Sequence, residues 1–314
     1  MHILITGPAG SKAFLEQLAR AIDSQAAQIV CRYDLERPSD YENWQEVEIL
    51  VAFARPCDHE DMQRAPHLRA IVLPSLGFEG IDVDAATRRG IAVANGHVAE
   101  NFETVAEAAI LFILMSLYDI EATQVRLKRD LVRVGPPRAR MLKGKTIGIL
   151  GFGNIARAVV KRLEGWDVDM LIHTRRHVGV AVAEQCDLET LLERSDVVVP
   201  LLPLTAETHG ILSKERLLSM KEGAILVNLS RGAIIDEGAL CDPEVVARLG
   251  GIALDVFENE PLPSDSPLRG HPRAILTNHE VAHTSENLSA LFATAVTNVQ
   301  AAMKGSIMPT ILNR

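Results

Sequence analysis

A glycine-rich turn between an apolar strand and a helix constrains this chain more than any other sequence feature. The sequence TIGIL (146–150) predicts a buried strand, GFGNIA (151–156) follows it at once, and residues 157–163 have helical spacing. Gly151 permits a tight turn, and Gly153 lets the backbone approach a pyrophosphate at the helix N-terminus. The alternative is a glycine turn without a ligand, but the strand–turn–helix setting favours a dinucleotide site. The residues expected to line the cofactor here are Gly151, Phe152, Gly153, Asn154 and Ile155.

Short apolar runs alternate with helical patterns along most of the 314 residues. The expected strands are 3–6, 49–53, 70–73 and 91–94 in a first series and 146–150, 170–173, 197–201, 225–229, 252–254 and 274–276 in a second. Helices are expected at 100–117 and 285–304, and 128–143 is expected to form an arm or linker. This alternation predicts an α/β fold, and the second series suits a doubly wound parallel sheet of the Rossmann type. The length favours two domains.

Composition and charge narrow the class of partner. Hydrophobic residues make up 47% and charged residues 23%, so the chain can bury a full core. The net charge of −9 is spread along the chain, which argues against nucleic acid and membrane surfaces and favours a small-molecule partner. The four cysteines are far apart and lack metal-ligand spacing, which predicts no metal site. With no signal-like start, the sequence predicts a cytoplasmic protein.

Five segments, taken in order, resemble the D-isomer-specific 2-hydroxyacid dehydrogenases, including their glyoxylate/hydroxypyruvate reductase-like and phosphoglycerate dehydrogenase-like members. They are PSLGFEGIDVDAATRRGIAVAN (74–95), DVVVPLLPLTAETHGIL (196–212), LVNLSRGAIIDEGAL (226–240), ALDVFENEP (253–261) and LTNHEVAHTSEN (276–287). Together they cover almost the whole chain, and their order makes the resemblance specific.

The resemblance implies an architecture and an activity. A flavodoxin-like α/β substrate domain would comprise residues 1–95 and 285–314, with the dinucleotide-binding domain, 96–284, inserted between them. The implied reaction is hydride transfer between a nicotinamide cofactor, NADP or NAD, and a small 2-keto or D-2-hydroxy acid. The family also implies a homodimer.

The resemblance assigns roles to residues of this chain. Arg231 would clamp the carboxylate and keto oxygen of the substrate through its planar fork, while the backbone N–H groups of Leu76 and Gly77 would hold the other side of the carboxylate. His279 would be the general acid of reduction and the general base of oxidation. Glu260 would orient the imidazole and raise its pKa.

The matching segments contain further candidate residues and some departures from the family pattern. Asp255 and Pro203 would contact the cofactor, although Asp255 could equally cap a turn. His283 is a rival to His279 that the sequence alone does not exclude. Asn278 stands where the family has proline before the histidine, and Glu280 is an unusual charge beside it, so the local geometry is open.

The end of the second Rossmann strand predicts which cofactor is preferred. An acidic residue about twenty positions after the glycine turn normally binds the ribose hydroxyls of NAD. Here Thr174 occupies that position and is followed by Arg175 and Arg176. A hydroxyl and arginines can bind a 2′-phosphate, so the sequence predicts a preference for NADPH over NADH. The alternative is a solvated turn that accepts both cofactors.

Other functions stay open at this stage. The same family includes an NAD(H)-sensing corepressor, so a scaffold with little turnover is the alternative from another class, and phosphite oxidation is a minor one. Formate oxidation is disfavoured because Glu260 stands where that relative has glutamine. Glyoxylate, hydroxypyruvate, pyruvate and larger 2-keto acids are all compatible substrates.

Overall fold

The computed structural model describes residues 1–22 and 25–313, in which parallel strands and helices alternate. The strands are β1 (His2–Thr6), β2 (Gln28–Arg32), β3 (Ile49–Ala52), β4 (Ala70–Val72), β5 (Ala92–Ala94), β6 (Thr146–Leu150), β7 (Asp169–His173), β8 (Glu184–Gln185), β9 (Val197–Pro200), β10 (Ile225–Asn228), β11 (Gly251–Leu254) and β12 (Ala274–Leu276). The helices are α1 (Lys12–Ile22), α2 (His59–Gln63), α3 (Val83–Arg88), α4 (Ala99–Leu117), α5 (Ile120–Lys128), α6 (Asn154–Leu163), α7 (Leu188–Arg194), α8 (Lys214–Ser219), α9 (Pro243–Arg248) and α10 (Ser285–Met303).

The chain divides into two compact units. The first runs to Asn101 and resumes at Thr284, and the second comprises Phe102–His283. Among the helices of the described ranges, none has both the length and the apolar composition needed to cross a bilayer.

The first unit is built on a parallel sheet with the order β2-β1-β3-β4-β5. This is the flavodoxin-like order. Both faces of the sheet are buried, because Leu4 belongs to one apolar cluster while Ile3 and Ile5 belong to the cluster on the other side. Helix α10 packs on that second face through Ala295 and Val299. The sequence had predicted four strands here and missed β2.

The second unit is built on a parallel sheet with the order β12-β11-β10-β9-β6-β7-β8. Without the outermost β12, this is the doubly wound order in which the direction of winding reverses beside β6. Six of these strands were predicted, and the short β8 was missed. The expectation of an α/β fold with a Rossmann-type sheet is confirmed.

The stretch after α5 agrees with the predicted arm. Residues 129–143 contain neither a helix nor a strand. Several of their apolar side chains lie in solvent, among them Leu131, Val132, Val134 and Met141.

Candidate active site

Three loops of the second unit bring together the residues expected to do the chemistry. Arg231 lies just beyond β10, Asp255 and Glu260 follow β11, and His279 follows β12. These strands are adjacent and parallel, so their carboxyl ends lie at one edge of the sheet. This is the edge at which open α/β sheets bind ligands.

His279 and Glu260 form a hydrogen-bonded pair at this edge. The imidazole Nδ1 lies 2.7 Å from Oε2 of Glu260, and the other carboxylate oxygen accepts the backbone N–H of Phe257 at 3.0 Å. The bond to Glu260 raises the pKa of His279, although partial burial opposes the charge. Burial would raise the pKa of Glu260, but its two hydrogen bonds and the charges of His279 and Arg231 together outweigh that effect and the pKa is lowered. The pair therefore favours an imidazolium beside a carboxylate.

Asp255 binds the loop that carries His279. Its side chain is buried, and its Oδ1 accepts hydrogen bonds from Thr277 Oγ1 at 2.6 Å, from the N–H of Glu280 at 3.0 Å and from that of Val281 at 3.4 Å. Its backbone carbonyl accepts the N–H of His279 at 2.8 Å. Asp255 therefore caps the turn that carries His279, which is the alternative role given for it above.

The loop that carries Arg231 is organised by a buried asparagine. Asn228 Oδ1 accepts the N–H of Ser230 at 3.0 Å and its hydroxyl at 2.8 Å, while Nδ2 donates to the carbonyl of Arg231 at 2.9 Å. The guanidinium Nη1 donates to the carbonyl of Ser230 at 2.6 Å. The positive charge of Arg231 lowers the pKa of Glu260 and opposes the rise in that of His279. Arg231 is therefore electrostatically coupled to the pair.

Gly232 allows two of these loops to touch. A Cβ at this position would overlap the carbonyl group of Phe257 and the backbone nitrogen of Glu258. The same N–H of Glu258 donates to Oε2 of Glu237 at 2.8 Å, and burial raises the pKa of that glutamate. Gly232 and Glu237 were not among the residues predicted from the sequence, although both lie within the segment 226–240.

The glycine turn has the shape that a pyrophosphate needs. Gly151 has a φ of +93°, and a Cβ there would lie 2.5 Å from the carbonyl oxygen of Leu201. Gly153 is the N-cap of α6, and no atom lies within 4 Å of the position its Cβ would take. Ala156 is fully buried in the core behind the turn. The close approach, the open space and the helix N-terminus together fit a dinucleotide phosphate.

The remaining residues of the predicted turn have separate contacts. The guanidinium of Arg157 lies over the ring of Phe152, 4.4 Å from the ring centroid. Ile155 is partly buried and packs against the core of the second unit.

Thr174, Arg175 and Arg176 lie in the loop after β7, as predicted. Gln185 of β8 braces this loop, because its Nε2 donates to the carbonyls of Thr174 at 3.2 Å and Arg176 at 3.0 Å. Arg175 Nη1 lies 3.2 Å from Glu207 Oε2, with side chains 86% and 74% exposed. Such an exposed pair contributes little energy, so an anion could replace Glu207 at small cost.

Pro203 lies in the loop after β9, close in sequence to Glu207. Its carbonyl accepts the hydroxyl of Thr208 at 2.7 Å, and the same hydroxyl accepts the N–H of Thr205 at 2.8 Å. The threonines of the segment 196–212 thereby fix the shape of this strand exit.

Leu76 and Gly77 lie in the first unit, in the loop after β4. Asn95 Nδ2 donates to the carbonyl of Leu76 at 2.6 Å, and Ser75 Oγ donates to that of Gly77 at 3.1 Å. These bonds fix the carbonyl side of the loop.

Of the two rival histidines, only His279 is paired with Glu260. The backbone N–H of His283 donates to the carbonyl of Glu280 at 2.9 Å, and the side chains of His283 and Glu280 are exposed. Across the described ranges, no group of three or more histidine, cysteine or acidic side chains is placed to hold a metal ion.

The fold and this edge of the sheet define a dinucleotide-binding α/β protein with a histidine–carboxylate pair. Residues 110–280 match the model of the D-isomer specific 2-hydroxyacid dehydrogenase, NAD binding domain. The chain belongs to the D-isomer-specific 2-hydroxyacid dehydrogenase family, which confirms the resemblance read from its motifs and places an NAD binding domain in the second unit.

Relatives and solved structures agree with this assignment. Glyoxylate/hydroxypyruvate reductase B of Pectobacterium carotovorum is 36% identical over 272 residues, which cover 84% of this chain and 85% of that protein. Glyoxylate reductase of Thermofilum pendens is 36% identical over 275 residues, covering 85% and 81%. The crystal structure of a glyoxylate reductase from Paecilomyes thermophila has a TM-score of 0.84 at 27% identity, covering 99% and 97% of the two chains. That of D-lactate dehydrogenase from Aquifex aeolicus, complexed with NAD and lactic acid, has a TM-score of 0.86 at 25% identity, covering 99% and 98%. These relatives do not favour the corepressor alternative.

Proposed function

We propose that the chain reduces a small 2-keto acid to the D-2-hydroxy acid with a nicotinamide cofactor, or catalyses the reverse reaction. The observation that carries the proposal is the bond between His279 and Glu260, to which Arg231 is electrostatically coupled. A cation for a carboxylate and an acid–base group are what this reaction requires of the protein. The names of the relatives, glyoxylate and hydroxypyruvate reductases, support small 2-keto acids as the substrate class.

Each side chain has a defined task in this proposal. The nicotinamide, when bound, supplies the hydride. Arg231 binds the carboxylate and keto oxygen of the substrate. The N–H groups of Leu76 and Gly77, in the first unit, are also proposed to bind the substrate carboxylate. His279 donates its proton to the keto oxygen during reduction, and Glu260 stabilises the imidazolium before that transfer. In oxidation, neutral His279 takes the hydroxyl proton.

The cofactor is proposed to lie on the glycine turn. Gly151, Phe152, Gly153, Asn154 and Ile155 form the turn and the first residues of α6. Asp255 and Pro203 remain proposed contacts to the cofactor.

We also propose that NADPH is preferred over NADH. Thr174 stands at the position of the missing acid, and Arg175 and Arg176 are exposed beside it. A 2′-phosphate would compete with Glu207 for Arg175, and a charge-assisted contact is worth roughly 1.5 to 3 kcal/mol. Replacing Arg175 by alanine should therefore raise the KM for NADPH, by at most about 10- to 150-fold because water screens so exposed a side chain, and leave the kinetics with NADH nearly unchanged.

Steady-state kinetics with both cofactors measures this preference. Arg89→Ala, which removes an exposed arginine of the first unit, is the control and should behave as the wild type. A wild-type kcat/KM that favours NADH would contradict the NADPH preference and leave the dehydrogenase proposal intact.

The decisive test of the function is a turnover screen. Glyoxylate, hydroxypyruvate, pyruvate and larger 2-keto acids are each offered with NADH and with NADPH while cofactor absorbance is followed. We expect oxidation of the cofactor by at least one of them, with the D-hydroxy acid as product. Absence of turnover with every acid would overturn the proposal.

The family implies a homodimer, and the arm offers a surface for it. Val132 and Val134 are 84% and 91% exposed, which is unusual for apolar side chains of a monomer. We propose that this arm contacts a second copy of the chain, and light scattering on the purified protein tests the proposal. The cytoplasmic location stays a prediction.

A further inference from the structure

Asp255 makes more hydrogen bonds to the His279 loop than a cofactor contact would require. It stands directly after β11, its side chain is 2% exposed, and its Oδ1 is directed at the turn formed by residues 277–281. Three donors from that turn converge on this oxygen: the hydroxyl of Thr277 and the backbone N–H groups of Glu280 and Val281. Two successive N–H groups facing one anionic oxygen form a small anion-binding nest.

The turn needs this support because His279 has an unfavourable backbone conformation. Its φ is +54°, in the left-handed region that side chains other than glycine seldom adopt. Such a conformation persists only where the surroundings fix it. Asp255 provides that fixation twice, since its backbone carbonyl accepts the N–H of His279 while its carboxylate accepts the two N–H groups that follow.

We propose that Asp255 and Thr277 are positioning residues that hold the turn in the one shape that directs the His279 imidazole at Glu260. This inference rests on the proposed function for its catalytic consequence, but the geometry it concerns is independent of turnover. Asp255 acts through the turn, and its buried negative charge also favours the imidazolium.

The charges that face His279 are those of Glu260, Asp255 and Arg231. Glu260 has the largest effect and raises the pKa of His279, Asp255 raises it further, and Arg231 lowers it. Removing the charge of Asp255 should therefore lower the pKa of His279 even where the turn keeps its shape.

Substitutions at Thr277 and at Asp255 separate the shape of the turn from the charge. Thr277→Val removes one donor and keeps the carboxylate, while Thr277→Ser restores the hydroxyl. We expect the valine variant to lose kcat, because a misplacement of about 1 Å at a reacting group costs up to roughly 10²-fold. The serine variant should recover most of that loss, and both should bind NADPH as the wild type does.

Asp255→Asn keeps an acceptor oxygen and removes the charge, so the pKa of His279 should fall. Asp265→Asn, an exposed acid of the loop before β12, is the matched control.

Two measurements decide the outcome. NMR titration of labelled histidines, with the His279 signal assigned from a His279→Gln sample, gives the pKa in each variant without any turnover. Fluorescence titration with NADPH gives the binding constant. Wild-type kcat in Thr277→Val, or an unchanged His279 titration in Asp255→Asn together with weakened NADPH binding, would overturn the proposal and leave the cofactor contact as the only role of Asp255. Failure of the keto acid screen would overturn the proposed function alone, because the titration does not depend on it.

Discussion

Replacing Glu260 by glutamine should shift the pH dependence of reduction to lower pH. The bond from His279 Nδ1 to Glu260 Oε2 is 2.7 Å long and charge-assisted, and such bonds contribute roughly 1.5 to 3 kcal/mol. The two side chains are 48% and 36% exposed, so water screens the interaction. A value of about 1 to 2 kcal/mol remains, which destabilises the imidazolium about 5- to 30-fold in the variant.

The direction of the pH shift follows from the protonation state of His279 that reduction and oxidation each need. Glu260 raises the pKa of His279, and reduction needs the protonated imidazole, so wild-type reduction stays fast until the pH exceeds that raised pKa. In Glu260→Gln the fall in kcat/KM for reduction begins at lower pH. Oxidation, which needs the neutral imidazole, reaches its plateau at lower pH.

The assay is cofactor absorbance in both directions across about pH 5.5 to 9, a range that brackets the ordinary histidine pKa of about 6.5. Glu258→Gln removes an exposed carboxylate from the same loop and serves as the control. Superimposable pH profiles for wild type and Glu260→Gln would refute the reasoning, as would a loss of the same size at every pH.

Four further substitutions test the rest of the site. Arg231→Ala should raise the substrate KM and lower kcat together, at a cost of roughly 2 to 4 kcal/mol, because a charge-assisted fork to the substrate is lost; wild-type kinetics would contradict the assignment. His279→Ala should lose about 10²- to 10⁴-fold in turnover while it still binds cofactor. His283→Ala should remain active, and the reverse result would show that the loop has been assigned wrongly. Gly232→Ala should cost about 1 to 3 kcal/mol of stability, measured by denaturant unfolding, because the methyl group overlaps the Phe257 carbonyl; an unchanged unfolding midpoint would argue against the close approach.

The sequence predicted the class of fold because strand and helix periods are local properties. The strands it missed are those with weak local signals. β2 is a partly exposed edge strand, and β8 is only two residues long and is defined by its pairing with β7. The order of strands within each sheet depends on tertiary packing, so it came from the family resemblance and from the structure.

The same distinction applies to the site. Motifs pointed to Arg231, Glu260 and His279 because the chemistry requires those residue types. The supporting residues were missed, since the roles of Gly232 and Thr277 depend on contacts between loops that are distant in sequence. The glycine directly after Arg231 could have been recognised from the sequence. The structure shows that glycine is required there because the backbone of Phe257 and Glu258 lies against it, not because Gly232 forms a turn.

The contact at Gly232 has a consequence for how the protein can change over time. The backbone segments that carry Arg231 and Glu260 touch without an intervening side chain, so neither can shift without displacing the other. The two proposed tasks, substrate binding by Arg231 and support of proton transfer by Glu260, therefore depend on one backbone contact. Adaptation to a longer or bulkier acid is therefore expected from residues outside these two loops.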